Sequence, residues 1–116
     1  KQIDALLKTK DLKLEQAENY LRQAELKVQS DSMDLVAART NLEIAEQQFE
    51  RFEKLYNDGL KSKTELEGRK LKYQEARAKA ISAENKLLSS RNELINAKVE
   101  LTSIENQYRD KLAKAE

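Results

Sequence analysis

The chain has 116 residues, with no cysteine, histidine, proline or tryptophan and two glycines, which removes disulfides, thiolate or imidazole metal sites and histidine-based catalysis from consideration. Lys and Arg number 22 against 21 Asp and Glu, with the signs interspersed, so neither a nucleic-acid groove binder nor a polybasic membrane anchor fits. With 39% hydrophobic, 5% aromatic and 37% charged residues, the chain has little to fill a compact core, and it is ordered only if its apolar residues recur with a fixed period.

The N-terminus opens directly into helix-forming sequence without a charged-then-apolar signal segment, which leaves a cytosolic protein or a fragment, and the fragment is favoured. The longest apolar run, Leu35-Val36-Ala37-Ala38, falls far short of the roughly 20 residues that a membrane-spanning helix needs. From Leu7 onward, Leu14, Leu21, Val28, Leu35, Leu42, Phe49 and Tyr56 recur every seven residues, with Ala17, Ala24, Asp31, Ala38, Ala45 and Phe52 three residues after them. A sustained seven-residue repeat marks a helix whose apolar stripe faces a partner helix, and it predicts a first helix over about 2–57. Lys10 and Asp31 interrupt this stripe. They are expected to snorkel to water and, with Ser90 weakening the later stripe, to leave the middle and far end looser than the tip.

Asn57, Asp58 and Gly59 supply residues that tolerate the left-handed conformation ending a helix, with Gly59 placed just past the C-cap. The chain is expected to turn there, through a tip loop at 58–61. Ser62-Lys63-Thr64-Glu65 then has the capping-box spacing, in which the Ser62 hydroxyl accepts from the Glu65 backbone N–H and the Glu65 carboxylate reaches back to Ser62. A second helix over about 62–115 follows, with Leu66, Tyr73, Ala80, Leu87, Leu94, Leu101, Tyr108 and Ala115 at seven-residue steps and Ala76, Ala83, Ser90, Ala97 and Ile104 between them.

A short loop makes the two helices antiparallel neighbours, so the expected fold is all-α, one two-helix coiled-coil hairpin over 1–116. About 55 residues per arm at 1.5 Å rise imply a rod on the order of 80 Å. Folding about Gly59 brings Leu21 to Ala97, Leu35 to Ala83, Leu42 to Ala76, Ala24 to Leu94 and Ala17 to Leu101. Large meets small at each pair, although a register shifted by one heptad is also open.

Arg51 and Leu55 are four residues apart and off this stripe, so both are expected to point outward near the turn. Leu55, Tyr56 and Leu60 would then form a small apolar patch rimmed by Arg51, Lys54 and Lys61. Arg51, three residues, Leu55, six residues and Ser62, set across the turn of an alanine-rich heptad hairpin, resemble the tip of the periplasmic adaptor (membrane fusion) proteins of tripartite exporters. The segment from Ala45 to Leu66 is similar to that family's tip throughout, and the resemblance covers essentially the whole chain.

What the resemblance implies is a hairpin that docks onto a TolC-type outer-membrane channel through Arg51, Leu55 and Ser62, supported by Tyr56, Asn57, Asp58, Gly59, Leu60 and Lys61. It also implies a periplasmic location within a parent protein anchored to the inner membrane, an inner-membrane exporter of ABC or similar type as partner, and a homo-oligomer of about six hairpins. The lipoyl-like, β-barrel and membrane-proximal domains of complete adaptors are not encoded, so the chain reads as an excised hairpin of a larger adaptor. No catalytic residue, cofactor or metal is expected, because the acidic residues are spread along solvated helix faces. The main alternative is a structural coiled-coil spacer or stalk, in which Arg51 and Leu55 are plain surface and Ser62 only a cap. A hairpin that opens to pair with another chain, and a parallel dimer of one long helix, are further alternatives; the latter requires Gly59 to be helical, at about 1 kcal/mol relative to Ala.

Overall fold

The computed structural model describes residues 2–115, without the Ala115 side chain, so the Ala115 seam position lies outside the described residues, as do Lys1 and Glu116. It is an all-α antiparallel hairpin of two helices, α1 (Gln2–Asn57) and α2 (Lys63–Ala115). Among the described residues there is no strand, and no helix is long and apolar enough to cross a membrane. Because neighbours in a helix pair are local along its length, the chain falls into two contact units, one of residues 1–29 with 89–116 and one of residues 30–88.

In the first unit the buried residues are Ala17, Ala24, Ser90, Ala97 and Tyr108, all at seven-residue-repeat positions, flanked by half-buried Leu14, Leu21, Leu94 and Leu101. Alanine and serine at the centre let the two backbones approach, and the leucines close over them. An ion pair crosses the arms between Lys27 and Glu93 at 3.5 Å, and Lys111 lies 5.2 Å from the centre of the Tyr108 ring. Leu7 departs from the expected stripe: it is 39% exposed, while Leu6 and Lys10 are the half-buried residues of that turn. A seven-residue repeat drifts against the 3.6-residue turn, and counting back from Ala17 by helical turns arrives at Leu6.

In the second unit Asp31, Leu35, Ala80 and Leu87 are buried, with Ala38, Leu42, Ala45, Tyr73, Ala76 and Ala83 half-buried around them. Gln48 with Arg69, Phe49 with Tyr73, and Asp31 with Lys86 meet across the arms. Each of these pairs lies within about one helical turn of the facing expected from a fold about Gly59.

The expectation that Asp31 snorkels to water is overturned. Asp31 is 3% exposed and Ser90 1%, both deeper than any residue of the tip. Asp31 is held by the Lys86 ammonium at 3.7 Å, and among the described residues every buried side-chain polar atom has a hydrogen-bond partner. A buried polar group is tolerated when it is satisfied, and a short aspartate cannot reach solvent from the seam as lysine does.

Candidate functional site: the hairpin tip

The turn is built from two complementary caps. Gly59 has φ +77°, the left-handed conformation that glycine adopts without a Cβ penalty. The Leu60 N–H donates to the Leu55 carbonyl at 2.8 Å and the Gly59 N–H to the Tyr56 carbonyl at 3.0 Å. These are the two bonds of a Schellman motif, which satisfies the carbonyls left over at the end of α1. On the other side, the Ser62 hydroxyl accepts from the Glu65 N–H at 3.1 Å, and the Ser62 carbonyl accepts from Leu66 at 3.1 Å, so Ser62 is the N-cap of α2. The Glu65 carboxylate is engaged by the Lys61 ammonium at 3.5 Å, so the acidic arm of the expected capping box serves an ion pair.

Behind the turn, the Arg69 guanidinium lies 4.6 Å from the centre of the Phe52 ring and donates to Gln48 Oε1 at 2.8 Å. Lys61 Nζ lies 5.3 Å from the same ring. One turn further from the tip, Phe49 and Tyr73 are stacked, with centroids 5.8 Å apart and planes inclined by 22°. Beside these groups, Phe52, Lys61, Glu65, Gly68, Arg69 and Lys72 line an open depression of about 350 Å³.

The structure places the expected site residues as follows. Arg51 is exposed, as are Ser62, Asn57, Asp58, Gly59 and Lys61. Leu60 is 69% exposed and Tyr56 38%. Leu55 is half-buried, which corrects its expected outward direction, and Tyr56 takes the exposed position the repeat had given to the seam. Leu55 follows the half-buried Phe52 by three residues, which places it beside the covered face of α1. Near the tip Gln48, Phe49, Phe52 and Leu55 are the half-buried residues of α1, with Phe49 on Tyr73 and Gln48 on Arg69 across the arms. The expected patch is reduced to Tyr56 and Leu60, and one of its rim cations, Lys61, is drawn over Phe52.

Arg69 and Gln48 escaped the sequence reading. Arg69 stands three residues after Leu66, a seam position, but its charge masked it in a search for apolar residues. Comparison with protein-family models, with curated proteins and with solved structures finds no match.

Proposed function

We propose that the hairpin is the docking arm of a periplasmic adaptor, meeting a TolC-type outer-membrane channel with its tip and belonging to a larger chain that engages an inner-membrane exporter of ABC type. The observation that supports this reading is the grouping of Arg51, Leu55 and Ser62 around one doubly capped turn, the arrangement for which the sequence resembles that family. Arg51 is the exposed cation of the three, and its planar guanidinium forks onto carbonyl or carboxylate acceptors such as the free ends of a partner's helices. Ser62 fixes the turn. Leu55, half-covered by its own hairpin, contributes less apolar burial to a partner than a fully exposed leucine would, and the exposed Leu60 takes over that part.

Each contact of this kind is small, so the channel is held by repetition of the same tip in an oligomer. The test is retention of a detergent-solubilised TolC-type channel on the immobilised chain, at a surface density high enough for neighbouring tips to engage together. Retention that Arg51→Asp abolishes supports docking. Equal retention of the parent and the Arg51→Asp chain, or none at any density, favours the spacer reading.

A further inference from the structure

The apolar residues of the seam do not by themselves choose the register of the hairpin. Because both stripes repeat with the same period, sliding α2 by one heptad sets Leu42 on Ala83, Phe49 on Ala76, Ala24 on Leu101 and Ala38 on Leu87, and large still meets small. That slip has a consequence at the far end of the molecule. It moves the midpoint of the fold by half a heptad, from Gly59 to between Ser62 and Lys63, which draws Gly59 into α1 and takes Ser62 away from the start of α2. A slip in the opposite sense is refused by the seam, since it sets Leu42 on Arg69 and brings Lys27 to Lys86. What forbids the first slip therefore decides which residues stand at the tip.

The exposed charges do not forbid it. Lys27 and Glu93 are each about half exposed, a pair of that kind contributes little, and the slip merely gives Lys27 a new partner in Glu100. Asp31 is different. It is 3% exposed and lies 3.7 Å from Lys86, and the residue one heptad beyond Lys86 is Glu93. The slip thus exchanges the cation beside a buried carboxylate for a second carboxylate, with no water near enough to offset the desolvation of either. We propose that Asp31 is the register lock of the hairpin: paired with Lys86 in one register and set against Glu93 in the other, it excludes the slip that the apolar seam permits and so keeps Gly59 and Ser62 at the turn. A polar residue at one seam position is a known means of fixing register at some cost in stability. The lock acts whatever the tip binds.

The chain has no cysteine, so introduced cysteine pairs report the register directly. Ala38→Cys with Ala80→Cys face each other in the native register, whereas Ala45→Cys with Ala80→Cys stand about 10 Å apart along the axis and face each other only after the slip. In dilute solution under mild oxidation, the first pair is expected to close within one chain and the second to close slowly. Asp31→Ala removes an attraction from the native register and a repulsion from the slipped one, so it is expected to speed closure of the second pair roughly tenfold. Its helix content and melting temperature are expected to stay at or above the parent's, since a buried ion pair is a weak source of stability. Asp31→Glu keeps the charge and is expected to keep the second pair slow. An unchanged second pair in Asp31→Ala, equally fast closure of both pairs in the parent, or the same acceleration in Asp31→Glu overturns the proposal. Loss of helix in Asp31→Ala overturns it too, because the residue then serves stability and not register.

Discussion

The guanidinium of Arg69 in α2 stacks on the ring of Phe52 in α1, 4.6 Å from its centre. With its hydrogen bond to Gln48, this pair joins the arms one turn behind the tip. Removing it with Arg69→Ala is expected to cost about 1 to 3 kcal/mol, combining a cation–π contact and a side-chain hydrogen bond. Arg69→Lys keeps the charge but loses the planar stack and the geometry of the bond, so it should recover only part of the loss. Urea denaturation followed by circular dichroism measures both, and an Arg69→Ala chain as stable as the parent would refute the pairing.

Asp31 and Lys86 are unequal partners, the first almost wholly buried and the second 60% exposed. Lys86→Ala is expected to cost about 0.5 kcal/mol, since an exposed ammonium gains little from one ion pair. Asp31→Lys places an unmatched cation in the seam beside Lys86 and is expected to cost about 3 kcal/mol or more. Thermal denaturation distinguishes the two, and similar melting temperatures would show that Asp31 is reached by water.

The two glycines should respond with opposite signs to the same substitution. Gly59→Ala forces a side chain into φ +77° and is expected to destabilise by about 1 kcal/mol. Gly68 lies inside α2 with no atom within 4 Å of an added Cβ, so Gly68→Ala is expected to stabilise by up to about 1 kcal/mol. Melting temperatures of the two variants give the comparison directly; a destabilising Gly68→Ala would mean that this position meets something beyond its own hairpin.

Leu55→Ala and Arg51→Ala should separate folding from docking. Leu55 is half-buried, so its truncation is expected to cost about 1 to 2 kcal/mol of hairpin stability from lost apolar burial. Exposed Arg51 is expected to change stability by less than about 0.5 kcal/mol. Chemical denaturation of both variants checks this, and equal effects would return Leu55 to the open surface.

The helices and their turn were legible because a seven-residue repeat, an Asn-Asp-Gly stop and a serine cap each signal the same local geometry. Leu55 was misread because a strict seven-residue count assigns the seam to Tyr56, whereas the helical turn also covers the residue three after Phe52. Asp31 was misread because hydropathy ranks a side chain by type, whereas this carboxylate is buried beside a cation from the other arm, Lys86. Arg51 and Ser62 were placed correctly by simpler rules, one lying away from the seam and the other beginning a helix.

The most direct measurement is photo-cross-linking in intact cells, with a photoreactive residue in place of Leu60, the most exposed apolar side chain of the tip, in the protein as its native cell expresses it. If the tip docks as proposed, a TolC-type outer-membrane channel is captured, and capture is lost together with export when Arg51→Asp is added while the hairpin stays folded. Capture of no envelope protein by a folded hairpin, or capture indifferent to Arg51→Asp, would contradict it.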